Sequence, residues 1–288
     1  MCRLIGALGR YSVVGQYYGE LIKGLIGASE YDPYSVRAFG PQDTSHRDGW
    51  GRFSLIVGMG VDRVSSAMYK SLSPIFVDRP REVLPQTDLT DMSDPFVLDF
   101  VLARAASTGM PVNYLSVQPF EAQARDGSRI VVIHNGSVYK DRLAREIGTE
   151  IPEEIVKKYS DSYILALKLA EFAGKDFDRE ILKQFKDYVK TALNLGMMII
   201  SEDSVVKVFG SYYRRNLPRE YWDYYKMYVA SVGGEALFYA SSTIIDFAEY
   251  RPKAVSKWEE IPSGKYFFAR LDFSKTKDIE VRIEEHYI

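Results

Sequence analysis

Short apolar runs rich in β-branched and aromatic residues open this chain, recur through its middle and close it, and that distribution limits the folds available to it. CRLIGALG, directly after Met1, reads as a buried strand. FSLIVGM (53–59), VSSAMYK (64–70) and FVLDFVLARAAS (96–107) follow, the last predicted to be a buried strand ending near Arg104. RIVVIHNGSVY (129–139) holds two such runs about an Asn-Gly pair, which predicts a hairpin. The end of the chain is strand-rich: MMIIS, VVKVFGS, KMYVASV, ALFYASS, KYFFARLDF and IEVRIEE. Helical spacing appears in YYGELIKGLIGASE (17–30) and in SDSYILALKLAEFAG (160–174), which begins with Ser and Asp. It also appears in DFDREILKQFKDYVKTALNLG (176–196), with Asp178 and Glu180 in the first turn and Gly196 at the stop. Residues 31–51 and 71–95 read as irregular. Strands, two adjacent helices and strands again predict an α+β layered domain. No linker, repeat or low-complexity segment divides residues 1–288, so a single domain is expected.

Composition narrows the function classes. The net charge of −2 gives no footprint for nucleic acid or an acidic membrane surface. A run of 18 apolar residues, as a membrane span needs, is absent from the sequence. Arg3 and Arg10 interrupt any signal-peptide core, and one cysteine allows no internal disulfide; both agree with a cytoplasmic protein. The three histidines are too widely spaced to resemble a ligand set, and no metal or organic cofactor is implied.

That one cysteine stands at position 2. A lone cysteine is ordinarily a small buried hydrophobe, a role that does not favour position 2. Removal of Met1 would make Cys2 the first residue, carrying a thiol and a free α-amine on one residue. An α-amine with a pKa of ~7.7–8.0 is a base poised near neutral pH, so Cys2 could supply both nucleophile and base.

Four further features each have an ordinary structural explanation. HRDGWG (46–51), containing Asp48, could be a surface turn. Arg104, ending an apolar strand, could snorkel at a sheet edge. HNG (134–136) could be a type I′ turn, although the Asn135 amide and the Gly136 N–H together would also make two donors for an oxyanion. Asp161, at a helix start, could be a cap or a dipole partner.

In combination and in this order, Cys2, HRDGWG, RAAS, QPF, HNG and SDS resemble the class II glutamine amidotransferases. The resemblance is nearest to a stand-alone branch with an H-x-D-G-W-G motif, and it extends through YASSTIID (239–246) and KWEEIPSGKYFFARLDF (257–273). It implies a four-layer αββα sandwich of the N-terminal-nucleophile (Ntn) hydrolase type. It also implies that Cys2 is the nucleophile, its own amine the general base acting through a water, and Asn135 and Gly136 the oxyanion hole. Arg104 would grip the α-carboxylate of glutamine and Asp161 its α-ammonium, with His134 and Asp48 also at the substrate. A zwitterionic substrate requires one fixed cation and one fixed anion, and Arg offers a carboxylate a bidentate fork. Two positions depart from the common family pattern: the HRDG loop is short, and Leu102 stands where many relatives have histidine.

The implied substrate is glutamine or a γ-glutamyl amide, with ammonia passing to a synthase or acceptor protein in trans. Alternatives are a γ-glutamyl hydrolase acting alone, an N-terminal-cysteine acylase of the choloylglycine hydrolase type, and a non-catalytic binding module on the same fold. No nucleic acid or membrane partner is expected, and a homo-oligomer is compatible with the sequence.

Overall fold

The structure, a computed structural model, describes residues 2–58, 64–80, 94–174, 177, 179–201, 205–211, 213–272 and 280–287. Its strands are β1 (Cys2–Arg10), β2 (Trp50–Val57), β3 (Val64–Ser71), β4 (Phe96–Arg104), β5 (Phe120–Gln123), β6 (Arg129–Val138) and β7 (Val189–Ile200). They continue with β8 (Val205–Ser211), β9 (Met227–Val232), β10 (Ala236–Ser241), β11 (Glu259–Glu260), β12 (Lys265–Asp272) and β13 (Glu280–Tyr287). The helices are α1 (Tyr11–Glu30), α2 (Pro33–Phe39), α3 (Ile75–Asp78), α4 (Lys140–Glu146) and α5 (Glu153–Lys158). Later in the chain come α6 (Asp161–Phe172), α7 (Arg179–Phe185), α8 (Trp222–Tyr225) and α9 (Ser242–Asp246).

The strands form two antiparallel sheets, ordered β11-β9-β10-β1-β4-β2-β3 and β13-β12-β8-β7-β6-β5. Because side chains alternate along a strand, each apolar run feeds two cores. Leu4, Leu98, Phe100 and Leu102 of the first sheet meet Val131, Ile133 and Met198 of the second. Their odd-numbered neighbours in the first sheet, Ile5, Val97, Val101 and Ala103, pack beneath Leu21 and Leu25 of α1 and Ile244 of α9. On the far side, Ile130, Val132, Leu193 and Leu195 pack beneath Leu143 of α4 and Ile164, Leu165 and Leu169 of α6. The strands β1, β4, β6 and β7 are buried on both faces, so each sheet needs a cover on both sides: the other sheet within and helices without. The result is the α+β, four-layer αββα sandwich expected from the sequence.

Two segments fold differently from expectation. RIVVIHNGSVY is not a hairpin: β6 runs unbroken through Asn135 and Gly136, which pair with Asn194 and Leu193 of β7, with a register shift between Gly136 and Val138. The Asn-Gly pair precedes a bulge, not a turn. The expected helix over 176–196 is short as well, since α7 ends at Phe185 and Val189–Ile200 is the central strand β7. Gly196 is not a helix stop but lies in mid-strand, opposite Ile133. Within the expected loop 31–51 lies α2, capped by Asp32 with Pro33 in its first turn. Met59, residues 81–93, Asp178, Phe273 and Ile279, which belong to expected segments, lie outside the described residues.

A buried ionic cluster anchors the strand that carries Cys2. The Arg3 Nε donates to Asp32 Oδ2 at 2.6 Å, and His46 Nε2 lies 2.7 Å from the same oxygen, all three side chains fully buried. Asp32 Oδ1 accepts from the Thr243 hydroxyl at 2.7 Å and from the backbone N–H groups of Tyr34 and Ser35. Arg3 Nη1 donates to the Tyr224 carbonyl at 2.8 Å, and the guanidinium lies 3.8 Å over the Tyr224 ring. Burial alone would raise the Asp32 carboxyl, but the Arg3 charge and the bond to His46 hold it well below the usual carboxylate range. One carboxylate thus joins β1, α2, the HRDGWG loop and α9. Removing it would leave the Arg3 charge buried without its partner. Asp32→Ala is therefore expected to cost roughly 3–5 kcal/mol of unfolding free energy, measured by urea denaturation; a loss below about 1 kcal/mol would contradict this anchor.

Candidate active site

The ends of β1, β4 and β6 and the start of α6 converge on one cleft. Its wall of twelve residues includes Cys2, Arg104, Gln118, His134, Gly136 and Asp161. In the antiparallel pairing of β1 with β4, Cys2 stands directly opposite Arg104, so the two side chains share a face. That face is the inner one, shared with Leu4 and Leu102. Asn135 continues the inner face of β6 beyond Val131 and Ile133. The Cys2 backbone nitrogen donates to Asn135 Oδ1 at 3.0 Å, linking one sheet to the other.

That bond orients the amide. With Oδ1 engaged, Asn135 Nδ2 is a fully buried donor without a partner. Arg104 carries a second one: Nη2 donates to the Pro111 carbonyl at 2.8 Å, while Nη1 is buried and unpartnered. Leaving a buried donor unpaired costs roughly 1–3 kcal/mol; Arg104 lines the cleft, and Asn135 lies between His134 and Gly136, which also line it. A side chain at Gly136 would collide with the Ala192 carbonyl, which restricts this position to glycine.

Asp161 is the first residue of α6, and the Ser160 hydroxyl caps the helix by accepting from the Tyr163 N–H. The Asp161 carboxylate accepts from the Val138 N–H at 3.1 Å and the Ser162 N–H at 2.9 Å, just past the bulge in β6. A fixed anion is thereby placed in the same cleft as the fixed cation of Arg104.

His134 and Asp48 are engaged by the protein itself. The His134 ring sits under α6, with Nδ1 2.9 Å from the Ser162 hydroxyl and Nε2 3.1 Å from the Ala192 carbonyl. A carbonyl can only accept, so Nε2 carries the proton and Nδ1 of the neutral ring accepts from Ser162. Asp48 Oδ2 accepts from the Ala106 N–H at 2.7 Å, and its own N–H donates to the Arg104 carbonyl at 2.9 Å. Asp48 therefore braces the turn that follows Arg104. Gln118, with no role assigned from the sequence beyond its place in the QPF motif, lines the cleft and is bonded to the His134 backbone. Among the described residues, no group of three or more His, Cys, Asp or Glu side chains could hold a metal ion, and no helix is long and apolar enough to cross a membrane.

Burial, partly offset by the charge of Asp161, lowers the pKa of His134, and burial, partly offset by Asp32, does the same for His46. In the unfolded chain both imidazoles titrate near ~6.5. As pH falls through that value, the unfolded chain takes up protons that the native state refuses, so stability drops with pH until the native pKa values are passed. Urea midpoints measured between pH 7.5 and 5 are expected to fall steadily. A midpoint constant over that range would contradict two neutral buried histidines.

No known protein-family profile matches the chain, and neither does any curated protein. Solved structures do. The allosteric regulatory enzyme of purine biosynthesis shares 13% identity with it at a TM-score of 0.49. Glutamine phosphoribosylpyrophosphate amidotransferase from B. subtilis, complexed with ADP and GMP, shares 14% at 0.46. In each case the match covers 99% of this chain and 49% of the other, so the chain spans about half the length of these structures.

Proposed function

We propose that this chain is an N-terminal-nucleophile amidohydrolase that cleaves the γ-amide of glutamine or of a γ-glutamyl amide, as the class II glutamine amidotransferases that its motifs resemble do. The observation that carries this reading is the 3.0 Å bond from the Cys2 nitrogen to Asn135 Oδ1, which leaves a buried, unpartnered amide donor beside the only cysteine.

Removal of Met1 turns the Cys2 nitrogen into a primary amine. Such an amine can donate one N–H to Asn135 and still use its lone pair to take the thiol proton, directly or through a water. The thiolate adds to the amide carbonyl, forming a C–S bond and an oxyanion that Asn135 Nδ2 and the Gly136 N–H receive. The C–N bond then breaks; the ammonia or amine leaves with the proton carried by the α-amine, and a γ-glutamyl thioester remains. Water adds to the thioester carbonyl, its proton passing to the α-amine, and collapse of that intermediate releases the carboxylic acid and restores the thiol. Arg104 Nη1 receives the substrate α-carboxylate and Asp161 its α-ammonium, while Asp48 and His134 support these groups from behind. The paired charges of Arg104 and Asp161 favour an amino-acid substrate over the fatty or bile amides of N-terminal-cysteine acylases. Ammonia would be released to water or to an acceptor protein in trans.

The test uses two full-length forms, one with an uncleavable N-terminal extension and one with the same extension at the C-terminus, assayed on glutamine and a panel of γ-glutamyl amides. With Cys2 internal, its nitrogen is an amide and cannot act as a base, so general-base catalysis worth ~10²–10⁴-fold should vanish. The C-terminally extended form should turn over, and intact mass should show that it begins at Cys2. Equal turnover by both forms would eliminate this mechanism.

A further inference from the structure

The segment that joins Arg104 to β5 touches both halves of the cleft. Near its start, the Pro111 carbonyl accepts from Arg104 Nη2 and from the Ser116 hydroxyl, each at 2.8 Å. At its end stands Gln118, 3% exposed, whose side chain bonds the backbone of His134 twice. Gln118 Oε1 accepts from the His134 N–H at 2.6 Å, and Gln118 Nε2 donates to the His134 carbonyl at 2.9 Å.

The β5–β6 ladder pairs Gln123 with Arg129 and runs to Phe120 with Val132. Continued by two residues, it would set residue 118 opposite residue 134. There the main chain has left the sheet, and the Gln118 side chain supplies the pair of hydrogen bonds that a neighbouring strand would have made. The Gln118 carbonyl in turn presses against Gly51 of β2, where any side chain would collide with it. The QPF, HNG and HRDGWG motifs thus interlock through one glutamine.

His134 immediately precedes Asn135, and the register shift of β6 begins two residues later, at Gly136. On the other edge β7 pairs with the strand as far as that shift; on this edge Gln118 makes both bonds to His134. Without them the strand end could rotate, and the Asn135 amide with it. We propose that Gln118 is a positioning residue for the oxyanion donor, holding the His134 backbone so that Asn135 Nδ2 meets the developing negative charge. This role rests on the amide-hydrolysis reading above. It also specifies a kinetic signature, because the negative charge on the carbonyl oxygen is absent from the bound substrate and develops only on the way to the tetrahedral intermediate, whereas substrate binding is carried by Arg104 and Asp161.

The test compares wild type with Gln118→Met, which fills the same space without hydrogen bonds, and Gln118→Asn, whose amide is one methylene short of His134. Rates on glutamine, read as released ammonia, and on γ-glutamyl p-nitroanilide are normalised to the folded fraction taken from cooperative urea unfolding. Both variants are expected to lose about ten- to a hundredfold in kcat while KM stays within about twofold. If Gln118→Met does not fold, Gln118→Asn decides alone. Active wild type with kcat unchanged in the folded variants, or with KM raised instead, overturns the role of Gln118 and leaves the function standing. Wild type that releases neither ammonia from glutamine nor p-nitroaniline from the anilide overturns the function and this role with it.

Discussion

The hydrogen bond from Cys2 to Asn135 is the contact on which the remaining geometry depends, because it spans the two sheets. β1 belongs to one sheet and β6 to the other, and the two residues meet only when the sheets stack with their inner faces in the observed register. The apolar parity of each strand enforces that stacking. A slip of one residue in β1 would turn Cys2, Leu4 and Leu8 outward and bring Arg3 into the intersheet core. Arg3 would then lose Asp32, so the ionic cluster on the outer face and the apolar core on the inner face specify the same register.

Two donors at or beside the cleft lack the partner that most buried polar groups have. Donors on Asn135 and Arg104 are buried and unpaired, each at a cost in stability, while Asn135 Oδ1 and Arg104 Nη2 are held by Cys2 and Pro111. Such a pattern suits groups whose partner arrives with a ligand, since rigidly held donors need no reorganisation when charge develops. The neutral His134, with both ring nitrogens committed to Ser162 and Ala192, adds rigidity without adding charge to the cleft.

Much of this frame is legible in the sequence where a signal is local and agrees with its surroundings. The end of β4 at Arg104 and the start of α6 at Ser160-Asp161 are of that kind, although the cap is Ser160 and not Asp161. Asn135-Gly136 and the stretch around Gly196 are not, because β6 and β7 pair with each other over more than 50 residues. An Asn-Gly pair fits a turn or a bulge equally well by local conformation, and only the partner strand selects between them. The helix-favouring residues of 176–196 yield to burial on both faces, with Leu193, Leu195 and Met197 packing outward and Ala192 and Met198 inward. For α2 the sequence signal was present, an Asp-Pro start, but it lay inside a segment rich in Pro and Gly. The role of Gln118 has no sequence signal beyond its motif, since a side chain standing in for a strand leaves no periodicity behind.

A γ-glutamyl thioester on the first residue of the mature chain is the species that distinguishes this mechanism from any other use of the fold. Wild-type protein mixed with glutamine, quenched in acid during turnover and mapped by peptide mass spectrometry should show a γ-glutamyl adduct on a peptide that begins at Cys2 and lacks Met1. Ammonia release with Cys2 unmodified, or activity in a protein that retains Met1, would contradict the account.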